Sequence, residues 1–283
     1  MGFHRHTPHP LRPLPPRPGS VARGHGGDAL VTAPDTIVWI SGATEGLGIG
    51  LAHTVPYPNA RIINLSRRQH PEYETVQFDL TKPDTWDAIG EHFTSVLADF
   101  TGTRAIFIHN AFYRGHAGFV SEMDQQTYKD EIIANAMAPQ LLGDMFLRAV
   151  GPGYESGLVL MSSAGARSPF EGHSSYCAAK AGVEMWVRVV RRELKRRGRD
   201  TWVVAVRPGF VDSPATRYEA TMPADIYPLG PQIAAQLASR QGVLTPEEAG
   251  AGIWAMLPPT ADTSVLLQGE MVVVPPTEST GNR

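Results

Sequence analysis

Residues 36–48 read TIVWISGATEGLG. The first five form a short apolar run, and a run of that length stopped by glycines predicts a strand buried on both faces. Gly42, Gly46 and Gly48 follow it with the spacing G-x-x-x-G-x-G. Glycine is required where a backbone must come close to a pyrophosphate or take a positive φ. A helix over residues 47–55 would aim unpaired N–H groups and the positive end of its dipole at such an anion. Three glycines in a tight turn can also be purely structural. Their place directly after the first strand favours a dinucleotide-binding turn made by Gly42, Thr44, Glu45, Gly46, Leu47 and Gly48.

From this turn the chain continues as strands alternating with helices. Apolar runs predict strands at 60–66, 74–80, 104–110, 157–163 and 201–208 and a last strand within 265–275, with 74–80 the least apolar and so nearest a sheet edge. Helices are expected over 81–99, opened by Thr81 and Pro83, over 121–150, over 174–197 with Gly198 as C-cap, and over 245–257. Residues 214–241 read as irregular to helical. This alternation implies βαβ units, and right-handed crossovers then give an α/β fold with a doubly wound, mostly parallel seven-stranded sheet and the ligand at the strands' carboxyl ends. No repeat or linker divides residues 35–276, which read as one domain with a short tail at 277–283.

The 283 residues are 42% hydrophobic, enough for a large core. A net charge of −3 argues against general attraction to nucleic acid or anionic membrane. No apolar run approaches the roughly 18–20 residues of a membrane span. Cys177 is the single cysteine, which excludes an intrachain disulfide and points to a reducing, cytoplasmic setting. Residues 1–34 are rich in Pro, Arg, His and Gly without hydrophobic period and are expected to be a disordered tail. A later natural start, for example at Val31, is the alternative account. The tail's four Arg and one Asp put +3 there, so the whole-chain value of −3 leaves −6 on the rest. His4, His6, His9 and His25 have no Cys or carboxylate cluster beside them, and no metal site is expected. The basic run from Arg188 to Arg199 sits at a helix C-terminus, where the dipole favours cations, so no nucleic-acid role is assigned to it.

The second strand ends in Asn64-Leu65-Ser66-Arg67-Arg68. The acid that would hold ribose hydroxyls in an NAD site is missing. Ser66, Arg67 and Arg68 suit a 2′-phosphate instead, unless the two arginines are only solvated, so NADP(H) is expected over NAD. Asp79, next to Leu80, either accepts from the adenine amino group or caps a turn. Tyr176-Cys177-Ala178-Ala179-Lys180 opens a long helix that places Tyr176 and Lys180 on one face. A fixed ammonium nearby favours the phenolate, so a lowered pKa is expected for Tyr176. Ser163, at a strand end, could bond a substrate oxygen. Asn135, on the buried face of the 121–150 helix, could hold a water next to Lys180. Taken singly these are ordinary packing, turn-forming and capping residues. Their order behind the Gly-rich turn gives them weight.

On these marks, together with His109-Asn110-Ala111 and Pro208-Gly209, the chain resembles the classical short-chain dehydrogenase/reductases over about residues 35–275. The resemblance implies a single-domain Rossmann fold and a catalytic tetrad of Asn135, Ser163, Tyr176 and Lys180. It further implies that Lys180 and Tyr176 contact the nicotinamide ribose, that Asn110 and Ala111 lie along the cofactor, and that Pro208, Gly209, Val211 and Ser213 hold the carboxamide. Ser66-Arg67-Arg68, the segment around Asn135 and residues 162–182 narrow it towards sepiapterin reductase and bacterial benzil reductase. The expected activity is NADP(H)-dependent reduction of a bulky ketone or aldehyde, a diketone or pterin-like carbonyl among them, by a cytoplasmic homodimer or homotetramer. A cofactor-binding regulator without turnover is the alternative. Three departures stand out: Phe112 where the family has Gly, Ser213 where it has Thr, and VVVPP in place of a closing Gly-Gly. Phe112, Tyr113, Pro169, Phe170 and Phe210 are expected to line the substrate pocket. Tyr218, Met222 and Tyr227 would act there as a lid or pack their segment down.

Overall fold

The computed structural model describes residues 33–260 and 262–269, and the expectations for the N-terminal tail before residue 33 and for the chain beyond 269 lie outside these. The described residues from Pro34 onward form one compact unit. Its elements are β1 (Thr36–Ser41), α1 (Gly46–His53), β2 (Ala60–Ser66), β3 (Glu74–Gln77), α2 (Asp87–Ala98), β4 (Arg104–His109), α3 (Gln125–Ile132), α4 (Ala138–Ala149), β5 (Glu155–Met161), α5 (Ser174–Arg196), β6 (Trp202–Arg207), β7 (Phe210–Val211), α6 (Pro214–Glu219), α7 (Gly230–Ser239), β8 (Val243–Leu244), α8 (Pro246–Ala255) and β9 (Val265–Leu267). Seven strands form one parallel sheet, as the alternation predicts; their order is β3-β2-β1-β4-β5-β6-β9, and β7 and β8 pair separately.

The apolar runs of the central strands are continuous because both faces are covered. Ile37 and Trp39 of β1, Phe107 of β4, Leu158 and Leu160 of β5 and Val203 of β6 pack with Phe93 of α2, Phe146 of α4 and Val183 and Val187 of α5. The alternate residues Val38, Ile40, Ile106, Ile108, Val159 and Val204 pack on the other side with Leu51 of α1 and Ile253 and Trp254 of α8. Successive side chains of a strand point to opposite faces, so neither set can be polar. No helix among the described residues is long and apolar enough to cross a membrane.

Four boundaries differ from expectation, each for a local reason. β3 stops at Gln77, and Asp79 then turns the chain by accepting from the Thr81 N–H at 2.9 Å. Helix formation after Pro83 begins as a 3-10 turn, and α2 starts only at Asp87. β5 ends at Met161, so Ser163 lies two residues past the strand and caps a 3-10 turn. The expected 121–150 helix starts at Gln125, capped by Asp124, and is interrupted by a π turn at Ile133–Met137. Pro139 explains the interruption: without an N–H it cannot bond the carbonyl of Asn135 four residues earlier.

α1 and α8 cross at glycines. A Cβ on Gly250 would stand 2.5 Å from the Gly50 carbonyl, and one on Gly50 would stand 1.9 Å from the Pro246 carbonyl oxygen. The Trp254 indole donates to the Leu51 carbonyl at 2.8 Å across the same contact. Gly250→Ala is expected to wedge the helices apart and to cost about 1–3 kcal/mol, the usual range for overpacking, in urea denaturation. An unchanged midpoint would show that the close crossing is dispensable.

Candidate active site

The chain leaves β1 towards β2 on one side, while β4 adjoins β1 on the other, so the carboxyl ends of β1 and β4 diverge as a topological switch point. A cavity of about 700 Å³ opens there, and every expected catalytic and cofactor-binding residue lines it except Gly48 and Asn135; of the expected substrate-pocket and lid residues, Pro169, Tyr218 and Met222 do not line it. Gly48 sits behind the wall. A Cβ there would lie 1.9 Å from the Gly42 carbonyl oxygen, and Gly42 itself takes φ +72°. The turn is held from two sides. Asn64 of β2, fully buried, accepts from the Ala43 N–H at 3.0 Å. Asn110 donates to the Ser41 carbonyl at 3.2 Å.

Ser41 Oγ accepts from the Asn110 and Ala111 N–H groups, both at 2.9 Å, and so must donate its own proton to His109 Nδ1 at 2.9 Å. That fixes His109 as the neutral tautomer with its proton on Nε2. Burial, aided by the charge of Lys180, pushes its pKa down to about 3.

The two arginines after β2 are not equivalent. Arg68 pairs with Glu45 at 3.0 Å, so the two partly neutralise each other at the cavity wall. The Arg67 guanidinium has no partner among the described residues; only its main-chain carbonyl is engaged, by Gln77. One Asp79 oxygen takes both the N–H and the hydroxyl of Thr81, so this residue does cap a turn, and its second oxygen stays free. A glycine cradle at a helix N-terminus, with an unpaired guanidinium beside it, fits a nicotinamide dinucleotide carrying an extra phosphate.

At the other end α5 begins at Ser174, which puts Tyr176 and Lys180 in its first two turns. Lys180 is buried, and its Nζ donates to the Met161 carbonyl at 2.8 Å and lies 5.5 Å from the Tyr176 ring centre. Burial lowers its pKa to about 8. The Tyr176 pKa is raised, not lowered as expected. Burial of the phenol dominates, the nearby Glu219 adds to it, and a hydrogen bond with Ser163 opposes it. Lys180 does not offset this, because its own charge is disfavoured by burial and its Nζ is turned to a backbone carbonyl.

Asn135 is buried in the π turn, and its amide is engaged on both ends with Tyr113, accepting from the N–H and donating to the carbonyl, each at 2.8 Å. The side chain therefore anchors the loop after β4. Pro139 has no N–H to offer the Asn135 main-chain carbonyl four residues earlier.

Phe112 meets Tyr176 edge-on with ring centres 6.1 Å apart, so the departure from glycine narrows the cavity directly at the phenol. Phe170, Phe210 and Tyr227 pack as one buried cluster along the wall, and Tyr227 stands against His173 at 4.4 Å. Pro169, expected in the pocket, is exposed. Tyr218 packs under the Arg114 guanidinium at 4.1 Å, outside the cavity wall.

Sequence reasoning missed two buried carboxylates. Glu184 accepts from Ser162 Oγ at 2.8 Å and from Arg207 at 2.7 and 2.9 Å, tying the residue before Ser163 to the residue before Pro208-Gly209. Glu131 accepts from the His116 N–H at 3.1 Å and from Ser175 Oγ, joining the loop after β4 to the start of α5. The signal for Glu184 was available: it lies four residues beyond Lys180 and eight beyond Tyr176, an acid on a face whose period marks it as buried.

The family model described as short chain dehydrogenase matches residues 36–224. The benzil reductase ((S)-benzoin forming) of Bacillus cereus is 24% identical over 188 residues, 62% of this chain and 76% of that protein. The 3-oxoacyl-(acyl-carrier-protein) reductase of Escherichia coli strain K12 is 24% identical over 191 residues, covering 64% and 75%. Among solved structures, a short-chain dehydrogenase from Burkholderia cenocepacia in complex with NADP superposes with a TM-score of 0.64 at 19% identity over 84% of this chain and 90% of that one. A short-chain dehydrogenase/reductase of Saccharomyces cerevisiae gives 0.67 at 16% identity over 82% and 95%.

Glu184→Ala leaves the Arg207 charge largely buried without its partner. Breaking a buried pair in this way is expected to cost about 3–5 kcal/mol in chemical denaturation, whereas a loss under about 1 kcal/mol would reduce the pair to a surface contact.

Proposed function

The chain belongs to the short-chain dehydrogenase family, and from that premise we propose that it is an NADP(H)-dependent reductase of bulky ketones or aldehydes with Tyr176 as proton donor. One observation carries the proposal: Tyr176 is a half-buried phenol with a raised pKa, beside Ser163 and one helical turn from Lys180, in a cavity that also contains the glycine turn. The carbonyl-reducing relatives support the direction, and the NADP complex of a structural neighbour agrees with the free guanidinium of Arg67. Ser66 and Arg67 would receive the 2′-phosphate, with Asp79 and Leu80 at the adenine. The Gly42–Gly48 turn, with Thr44, Glu45 and Leu47, would hold the pyrophosphate. Asn110, Ala111, Tyr176 and Lys180 would line the nicotinamide ribose, and Pro208, Gly209, Val211 and Ser213 the carboxamide.

When bound, the reduced nicotinamide supplies a hydride to the carbonyl carbon. The protein's own part is to hold the oxygen and deliver a proton. Ser163 Oγ donates a hydrogen bond to the substrate oxygen, and Tyr176 Oη protonates it as negative charge develops there. Lys180, with a pKa near 8, returns a proton to Tyr176, and a water on the Asn135 main-chain carbonyl links that ammonium to solvent. Phe112, Phe170, Phe210 and Tyr227 give the substrate end apolar, aromatic walls, which suit a bulky carbonyl. Leu141 of α4 and Met185 and Val189 of α5 are exposed apolar residues, which supports assembly as a homodimer or homotetramer.

Tyr176→Phe is expected to lower turnover by about 10²–10⁴-fold, the range of a general acid, with little loss of NADPH affinity in fluorescence titration. Full activity in that variant would remove Tyr176 from the chemistry. Arg67→Ala is expected to weaken NADPH about tenfold or more, consistent with losing a hydrogen bond to a charged group, and to leave NADH affinity where it was. Equal effects on both cofactors would remove the 2′-phosphate contact.

A further inference from the structure

The mechanism above gives no role to Glu219, a carboxylate at the chemical end. This residue closes α6, and its side chain forms part of the cavity wall. Its carboxyl stands close enough to Tyr176 and Tyr227 that its charge raises the pKa of both. Among the described residues no hydrogen bond or ion pair engages it. Arg114 is the cation that acts on it, and the Arg114 guanidinium itself lies over the Tyr218 ring. An unpaired carboxyl on a wall shared with the aromatic cluster of Phe170, Phe210 and Tyr227 is costly to fold around, and such groups gather where a ligand completes them. Burial brings its pKa up to about 7. The buried Nε2 of His173, on the same wall, has no partner either.

We infer that Glu219 reads the substrate: its carboxylate accepts a hydrogen bond from a donor, whether hydroxyl, N–H or ammonium, that the substrate carries beyond its reacting carbonyl. The preferred compounds are then bulky aryl carbonyls bearing such a donor, cations above all, and carboxylates are rejected. This rests on the reductase reading for the word substrate, but the contact itself is a binding property. Binding of a cation strengthens as Glu219 ionises, hence as pH rises through about 7. Of the groups facing Glu219, Lys180 shares that window. Tyr176, Tyr227 and Cys177 have their pKa values raised by burial. His173 is held down to about 4. Lys180, at about 8, is the other group that titrates nearby, and it remains in every Glu219 variant.

The test uses the full chain with NADPH and three matched aryl methyl ketones, para-substituted with aminomethyl, methyl or carboxylate. Their dissociation constants are read from NADPH fluorescence in the Tyr176→Phe background at about pH 6 and pH 8. The aminomethyl ketone is expected to bind about tenfold tighter than the methyl one at the higher pH, equivalent to about 1.4 kcal/mol, with the carboxylate weakest. Its advantage should shrink at the lower pH. Glu219→Gln should bring all three within about threefold and abolish the pH effect, and Glu219→Asp should keep the order. The same thermal midpoint in all forms guards against misfolding, and if Glu219→Gln unfolds, the order kept by Glu219→Asp decides. No preference in the parent protein, or the same preference after Glu219→Gln, overturns the inference. Turnover of the same ketones by protein retaining Tyr176 separates the two readings: reduction without preference removes only the role of Glu219, and preference without reduction removes only the reductase.

Discussion

Where β1 and β4 end side by side, one hydroxyl group sets the shape of the cavity. Ser41 Oγ takes the N–H groups of Asn110 and Ala111 and gives its proton to His109, so the segment leaving β4 is bound to the segment leaving β1. Gly42 then has to pass under Ala111, whose Cβ is 3.1 Å from where a glycine Cβ would be, and Gly48 has to pass under the Gly42 carbonyl. The glycine turn thus results from strand ends held too close for side chains. The same bonds settle the charge at that end of the sheet, since a His109 that accepts from Ser41 and is fully buried stays neutral beside Lys180.

The chemical end depends on buried charge in the same way. Glu184 joins Ser162 to Arg207, and through them the loops that carry Ser163 and Pro208-Gly209. Glu131 joins Ser175 to the loop behind Tyr113. A buried carboxylate with all its partners in place holds its neighbours to one arrangement, because any departure leaves an ion without a partner in a medium of low polarity. Tyr176 is placed between these two clamps. Its raised pKa follows from the same dryness, and a phenol that keeps its proton is the form a reduction needs.

Much of this was legible in the chain. The seven strands, their parallel order and the edge position of β3 followed from the length and polarity of the apolar runs, because burial on both faces is written into composition. The glycine turn and the Tyr176/Lys180 pair were legible because φ, helical spacing and residue type are local properties. The break at Ile133–Met137 was legible in principle from Pro139 but was overridden by the amphipathic period of the surrounding helix. Asn64, Glu131 and Glu184 were not read as parts of the site, since each acts on a residue distant in sequence.

By itself the sequence determined the fold class, the dinucleotide turn and which residue types stand where chemistry is possible, because these depend on short-range geometry and on which side chains water excludes. Only the tertiary structure decided how those groups are used. It engaged Arg68 with Glu45 and left Arg67 free, bound the Asn135 amide to Tyr113, reversed the expected direction of the Tyr176 pKa and left the Glu219 carboxyl bare on an aromatic wall. The reason is the same in each case: desolvation and partner choice depend on what the fold packs against a group, and that neighbour comes from another part of the chain.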